Sequence, residues 1–431
     1  MHGIRIRDSR QMIRYNQDGN LVFVASTFGV IYSREHQTQL FYRGHHAPVI
    51  SLDVTPSGLI AASGDSQEVP EIHIWDVRTG RPIILFSGLL RRGISSLCFS
   101  QSGRYLAALG QDSMNSLVVL QSPSGNWMDG VIMYSCSISH KRMFWVSFVE
   151  GNRFPVVCGG SGVMYFVRGS GHGAEKHRAE FGKKRRIQSL LCACIGDPEN
   201  NGIGERLIVT GTASGYLYVW NSRKVVKSVS AHDGSVYSMA RVGIRYASAG
   251  KDGFIKVWSA DFNLLTSTNL QNLSPIPEVV SCFSLRSNHA GSKLALGMRS
   301  GEFYEYSIAT ESTMLLGQCH SKLELHGIVS NPASVDEYAT SGDDGYVRVW
   351  SIQLKKCIRR AVVDSASRAL AWSPDGTRLI VGIGGDPSMT AKDGKLLLFL
   401  NVYFYDKSHC CLNRRVLCAQ RAYFGYYFGG S

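Results

Sequence analysis

Side chains that together could activate a nucleophile lie close to one another in the chain. His232, Ser248 and Asp252 occupy one short stretch that ends at Trp258. Serine, histidine and aspartate in contact form a catalytic triad, in which the histidine removes the serine proton. The same residues could instead form a buried hydrogen-bond relay, because buried polar groups need partners.

Repetition of the pattern favours the relay. The spacing from Ser or Thr to Asp to Trp is the same in a second copy, formed by His320, Thr340, Asp344 and Trp350. His45 and Trp75 mark a further copy nearer the N-terminus. An enzyme needs one triad rather than one per repeat, so we predict a structural network inside each repeat. We therefore predict no catalytic residues and no enzymatic activity.

The elements that must position these residues are short strands joined by tight turns. Asp252-Gly253 is a hairpin signal, because glycine tolerates positive φ and aspartate caps its own turn. Ile255 and Val257 alternate with Lys256, which is the period of a half-buried strand. Nine units of this kind can be traced, and their closing aromatic residues recur at roughly the 40–45-residue period of propeller blades.

The repeats predict an all-β fold, since no segment shows a sustained helical period. We expect a WD40-type β-propeller of about seven blades over residues 12–308. The first two blades of a second, incomplete propeller follow at 309–400. Residues 401–431 match no blade pattern and are expected to form an atypical, disordered tail.

Composition restricts the partners. The net charge of +13 favours acidic partners: nucleic acid, anionic membrane or acidic protein surfaces. The 11 cysteines are scattered without a C-x-x-C motif, so we predict no metal site and no cofactor. There is no signal-peptide pattern and no apolar run of the ~20 residues that a membrane helix needs. Among the acidic partners, we expect protein surfaces rather than a membrane or nucleic acid.

The densest basic run is the best candidate for binding a partner. It comprises Lys183, Lys184, Arg185 and Arg186, on a loop between the fourth and fifth units. Such a run could contact an acidic surface. A solvated linker is the alternative, and a nuclear localisation signal is a third possibility.

An ordered set of motifs resembles the echinoderm microtubule-associated protein-like (EML) family. Residues 6–10, within a segment placed at 1–11, look like the end of the family's HELP motif. The other resembling stretches are 41–45, 72–76, 92–100, 181–182, 231–234 and 324–327, where His326 stands in place of a tryptophan. The resemblance implies tandem propellers, with the HELP segment packed between them.

The resemblance also supplies the leading functional expectation. It implies a non-enzymatic scaffold that binds tubulin and microtubules and other proteins through its propeller rims, in the cytoplasm and on the cytoskeleton. The alternative is an adaptor propeller, for example the substrate receptor of a ubiquitin ligase, which would need clustered arginines on one rim. A third hypothesis is an enzyme that uses the Ser–His–Asp set. We also expect that the chain is truncated within the second propeller.

Overall fold

The structure is a computed structural model. It describes residues 4, 9, 11–151, 155–170, 173–182, 186–196, 206–271, 282–320, 325–363, 365–384 and 395–400. The chain divides into two compact units, Met1–Cys319 and His320–Ser431. All named elements are β-strands. None of the described residues belongs to a helix that is long and apolar enough to cross a membrane.

The first unit contains seven four-stranded sheets, here called blades 1 to 7 in chain order. Blades 1 and 2 comprise β1 (Ile13–Tyr15), β2 (Leu21–Ala25), β3 (Phe28–Ser33), β4 (Thr38–Tyr42), β5 (Val49–Val54), β6 (Ile60–Asp65), β7 (Glu71–Asp76) and β8 (Pro82–Ser87). Blades 3 and 4 comprise β9 (Ile94–Phe99), β10 (Tyr105–Gly110), β11 (Ser116–Gln121), β12 (Val131–Ser137), β13 (Met143–Phe148), β14 (Val156–Gly160), β15 (Val163–Ser170) and β16 (Gly173–Arg178).

The remaining blades of the first unit follow the same plan. Blades 5 and 6 comprise β17 (Leu190–Ile195), β18 (Ile208–Thr212), β19 (Tyr216–Asn221), β20 (Lys224–Ser230), β21 (Val236–Val242), β22 (Arg245–Gly250), β23 (Phe254–Trp258) and β24 (Leu264–Asn269). Blade 7 comprises β25 (Cys282–Ser287), β26 (Lys293–Met298), β27 (Phe303–Ser307) and β28 (Ser312–Gly317).

Each blade is an antiparallel meander of four consecutive strands, as its tight turns predict. In blade 6, β22 pairs with β23 so that Ser248 lies opposite Lys256. Gly253 has a φ of +75°, and the Asp252 carboxylate accepts a hydrogen bond from the Phe254 backbone N–H at 3.2 Å. The aspartate therefore caps the turn, and the glycine supplies the left-handed conformation that the turn requires.

The seven blades close into a ring. The first strand of each blade contacts the first strand of the next, and β25 of blade 7 returns to β1 of blade 1. In the described part of the chain, the sheets of blades 1 and 7 each consist of four consecutive strands, so contacts between the two blades make this closure. The Met12 backbone N–H donates to Ser284 Oγ at 2.9 Å, and the Phe23 and Phe303 rings lie 5.1 Å apart.

The hydrophobic core lies between neighbouring blades. Ile255 of blade 6, for example, belongs to the same buried cluster as Leu294 and Tyr304 of blade 7. Burying one such aliphatic side chain stabilises the fold by about 1.5–3 kcal/mol. The alternation of Ile255 and Val257 in the sequence is therefore what fixes one blade against the next.

Strand number determines which loops share a rim of the ring. Each strand runs from one rim of the ring to the other. After the four strands of a blade, the chain is therefore back at the rim from which it started. The described links between blades and the described turns between the second and third strands therefore lie on one rim, here called the linker rim. The other turns, such as 55–59 and 243–244, lie on the opposite rim, here called the turn rim.

The second unit is described by itself. Blade 8 comprises β29 (Leu325–Ser330), β30 (Glu337–Gly342), β31 (Tyr346–Ser351) and β32 (Lys356–Val362), and blade 9 comprises β33 (Ser367–Trp372), β34 (Arg378–Ile383) and β35 (Lys395–Leu400). Val349 of blade 8 and Val381 of blade 9 belong to one hydrophobic cluster.

The predicted all-β propeller fold is confirmed. The predicted end of the first propeller at residue 308 needs a correction, because β28 pairs with β27 and completes blade 7. The first unit therefore runs to Cys319. The assignment of blades 8 and 9 to an incomplete second propeller stays a prediction. The predicted tail at 401–431 lies outside the described residues. So does the stretch at 6–10 that resembles the end of the HELP motif, apart from Ser9.

Candidate functional site

Blade 6 brings together the four residues that the sequence placed in one network. His232 Nδ1 lies 2.9 Å from Asp252 Oδ1, and His232 Nε2 lies 2.8 Å from Ser248 Oγ. The indole N–H of Trp258 donates to the same Ser248 oxygen at 2.9 Å. His232 Nδ1 therefore donates to the carboxylate and Nε2 accepts from the serine, while the serine oxygen accepts from the tryptophan. Every polar atom of this relay has a partner.

Blade 2 contains the same relay, with two members that sequence analysis missed. His45 Nε2 lies 2.7 Å from Ser63 Oγ, and His45 Nδ1 lies 3.1 Å from Asp65 Oδ2. Trp75 donates to Ser63 at 3.0 Å. Ser63 precedes its tryptophan by 12 positions, whereas Ser248 precedes Trp258 by 10. The longer turn between β6 and β7 hides the match, and the earlier His45 was the signal that could have revealed it.

Blade 8 carries the third relay. His320 Nε2 lies 2.8 Å from Thr340 Oγ1, and His320 Nδ1 lies 2.9 Å from Asp344 Oδ1. Trp350 donates to Thr340 at 2.7 Å. Burial alone would raise the pKa of Asp344, but the His320 hydrogen bond and the Arg348 charge lower that pKa to about 2. The carboxylate is therefore ionised at neutral pH.

The geometry of the relays suits structure better than catalysis. Ser63, Ser248 and Thr340 are all buried. A catalytic serine must present its oxygen to a substrate, whereas each of these oxygens accepts a tryptophan N–H. The relays therefore link the second strand, the third strand and the preceding loop within one blade.

A second polar position accompanies each relay, two residues before the tryptophan. It is occupied by His73 in blade 2, Lys256 in blade 6 and Arg348 in blade 8. Arg348 Nη1 donates to Asp344 Oδ2 at 2.8 Å, and both side chains are almost fully buried. Lys256 instead donates to the Ala231 carbonyl.

In blade 2 this position is His73, which lies close to His45 and Asp65. Among the described residues, these three form the group that could offer ligands to a metal ion. Potential ligand atoms of His45, Asp65 and His73 all lie within 4.8 Å of one another. His73 also lies 2.5 Å from the Tyr42 hydroxyl and 3.0 Å from Glu71. Burial and the neighbouring His45 lower the pKa of His73, so it is neutral and a competent ligand. Both of its ring nitrogens already have partners, which a metal would have to displace.

The predicted basic run lies largely outside the described residues. Of its four members, Arg186 is described and exposed, whereas Lys183, Lys184 and Arg185 are not described. In the sequence, the run falls between β16 of blade 4 and β17 of blade 5.

Both ends of the basic run are anchored to the same tyrosine of blade 5. Before the run, Phe181 is buried with its ring 6.2 Å from Tyr218 and 5.1 Å from Trp220. After the run, the Tyr218 hydroxyl donates to the Arg186 carbonyl at 3.1 Å and accepts from the Gln188 amide at 2.8 Å. The propeller therefore holds in place two described residues on either side of the undescribed part of the run, Phe181 and Arg186.

Comparison with known proteins identifies the family. The sequence profile described as the echinoderm microtubule-associated protein first β-propeller matches residues 38–305. This chain belongs to the echinoderm microtubule-associated protein family. The match covers more than half of the chain and falls within the seven-bladed unit, so the family predicted from the sequence is confirmed.

Individual members of the family are similar to the chain at low identity. Human echinoderm microtubule-associated protein-like 2 is 24% identical over 399 residues, which cover 89% of this chain and 58% of the relative. Human echinoderm microtubule-associated protein-like 1 is 23% identical over 398 residues, which cover 89% of this chain and 46% of the relative.

A ciliary protein is also similar. The ciliary WD repeat-containing protein ctxp80 of Euplotoides octocarinatus is 22% identical over 441 residues, which cover 94% of this chain and 58% of the relative. The chain thus spans about half the length of the relatives it matches.

Proposed function

We propose that this chain is a non-enzymatic scaffold that binds microtubules through the basic surface of its first propeller and acts in the organisation of the cytoplasmic cytoskeleton. The observation that carries the proposal is the match of residues 38–305 to the propeller of a family named for microtubule association. The net charge of +13 supports it, since the partner would be acidic.

The mechanism is electrostatic and geometric. A closed ring with side-chain contacts at its seam is a rigid platform, so its loops keep fixed positions. In the sequence, the basic run that ends at Arg186 lies between Phe181 and Gln188, both of which contact Tyr218 of this platform. Several weak charge contacts, together with long-range steering, then provide the affinity. Salt must weaken such binding, because the Debye length falls to about 8 Å at physiological ionic strength.

A cosedimentation assay tests this proposal. The purified chain is spun with taxol-stabilised microtubules over a salt series, beside a variant in which Lys183, Lys184, Arg185 and Arg186 are all changed to alanine. We expect the wild type to pellet with microtubules at low salt, and the variant to lose at least about tenfold in affinity.

A matched control removes four charges from the turn rim. It carries alanine at four exposed arginines: Arg78, Arg81, Arg104 and Arg245. We expect this control to bind like the wild type. Equal losses in both variants would reject the basic run as the contact, and no pelleting of the wild type at low salt would reject microtubule binding altogether.

A further inference from the structure

The inner strands of the first unit surround a central channel with a volume of about 950 Å³. Its wall is formed by the first strand of each blade, so the channel runs from the linker rim to the turn rim. Ligand pockets in proteins commonly have volumes of about 300–1,000 Å³. The channel is therefore large enough for a peptide segment and too large for a single small ion.

The two mouths of this channel differ in charge. At the linker rim, Arg142 and Asp112 line the mouth and balance each other. At the turn rim, the lining arginines outnumber the acids. They are Arg14, Arg206, Arg241 and Arg286, which face only Asp53 and Glu150 among the described residues of that mouth. We call this end the arginine mouth.

The carboxylates at the arginine mouth are already engaged. Asp53 Oδ1 accepts from Arg14 Nε at 2.7 Å and lies 3.4 Å from Arg286 Nη2. Asp53 Oδ2 accepts the Phe99 backbone N–H at 2.7 Å. One carboxylate thus serves two guanidinium groups and a backbone amide. Glu150 accepts the Ser102 backbone N–H at 3.2 Å.

The neighbouring thiols do not supply the missing negative charge. Burial, together with the Asp53 charge, raises the pKa of Cys98 to about 11. Burial raises the pKa of Cys194 to about 11 despite the opposing charges of Arg286 and Arg241. Both thiols are therefore neutral at physiological pH.

The excess positive charge is costly where it lies. Burial and the nearby Arg286 lower the pKa of Arg14 to about 10, so the guanidinium groups repel one another in a partly desolvated site. Arg286 retains about a third of its side-chain exposure, which leaves it accessible from the channel. An anion that entered the mouth would relieve this repulsion and gain charge-assisted hydrogen bonds.

We propose that the arginine mouth binds an acidic peptide segment, an extended chain whose aspartate or glutamate carboxylates pair with Arg206, Arg241 and Arg286. Guanidinium groups match carboxylates in a bidentate geometry. The walls also offer apolar contacts to the peptide backbone, from Phe148 and Ile195 among others. Clustered arginines on one rim are the feature that the adaptor alternative requires. The site uses none of the residues of the basic run, so it stands independently of microtubule binding.

Peptide binding measured by fluorescence anisotropy tests the site without microtubules. The probe is a labelled peptide that alternates glutamate and glycine, and its partner probe replaces each glutamate by glutamine. The double variant Arg241→Gln, Arg286→Gln neutralises the mouth, and Arg78→Gln, Arg81→Gln removes the same charge from exposed positions of the same rim. We expect the glutamate peptide to lose at least about tenfold in affinity for the first variant only.

Three further measurements make the outcome decisive. Circular dichroism checks that each variant is folded. If the double variant is not folded, Arg206→Gln, in the turn after β17, replaces it in the binding assay. Inorganic phosphate, added at the same concentration as the peptide, should not displace the peptide. Equal binding of the glutamine peptide, equal losses in both arginine pairs, or full displacement by phosphate would each overturn the proposal.

Discussion

Blades 6 and 7 are neighbours with the same backbone and different interiors. Blade 6 holds its strands with the relay of His232, Ser248, Asp252 and Trp258. In blade 7, Leu296 lies at the serine position and pairs with Leu285 across the strands. Tyr306 takes the tryptophan position and its hydroxyl contacts Thr268 Oγ1 at 2.9 Å. Both blades retain the turn glycine with positive φ, at Gly253 and Gly301.

This difference shows which features a blade needs. The tight turn and the apolar stripe between blades are common to both, so they define the fold. The relay is one way to fill the interior. Blade 7 fills it with the Leu285–Leu296 pair and a different buried network, in which Ser300 and Tyr304 donate to Glu302 at 3.3 and 2.8 Å. A satisfied buried hydrogen bond contributes only about 0.5–1.5 kcal/mol to stability. Removing one member of a relay is different, because it leaves the others without partners.

The largest expected effect comes from removing a closing tryptophan. Trp75 is fully buried, stacks on Tyr42 at 4.9 Å and donates to Ser63. Trp75→Ala should lower the free energy of unfolding by about 3–5 kcal/mol, measured by urea denaturation, because it leaves a large cavity and removes one of the two hydrogen bonds of Ser63. Trp75→Phe should lose less, since the ring contact remains. A loss for Trp75→Ala below about 1 kcal/mol would show that the relay blades do not depend on their tryptophans.

An intermediate effect is expected from acid in blade 8. The pKa of Asp344 is depressed to about 2 in the folded chain, so its contribution is complete above an unfolded pKa of about 4. That contribution, about 2 kcal/mol, is lost as the pH falls through the folded pKa. The hydrogen-exchange protection factors of the β30 and β31 amides, corrected for the intrinsic exchange rate at each pH, should therefore fall between about pH 4 and pH 2.

The Asp344→Asn variant provides the control for this acid effect. In this variant, the amides of blade 8 should have lower protection factors at neutral pH. They should lose little further protection in acid. The same acid slope in wild type and variant would mean that Asp344 is not the group responsible.

Sequence reasoning reached the parts of the molecule that are set by local chemistry. The turn at Asp252-Gly253 and the relays of blades 6 and 8 follow from residue types at a fixed spacing. Ser63 and Asp65 escaped because two inserted residues changed that spacing. Strand β28 escaped because it is an outer strand with exposed apolar residues such as Met314 and Leu315, so its pattern carries little periodic signal.

Long-range contacts could not be predicted from the sequence. Arg14, Asp53 and Arg286 meet only because the ring closes between blades 1 and 7, and no local pattern links positions so far apart in the chain. The basic run shows the reverse case. The sequence found it, while the structure describes the anchors on either side, Phe181 and Arg186.

The central claim is that the relays build the blades while the rims bind partners. The most direct measurement is Ser248→Ala, assayed for both urea stability and microtubule cosedimentation, with Ser267→Ala on the exposed face of β24 as the matched control. We predict that Ser248→Ala lowers the free energy of unfolding by about 1–3 kcal/mol, because Trp258 and His232 lose their shared partner, and binds microtubules as the wild type does. Unchanged stability together with lost binding would contradict the claim.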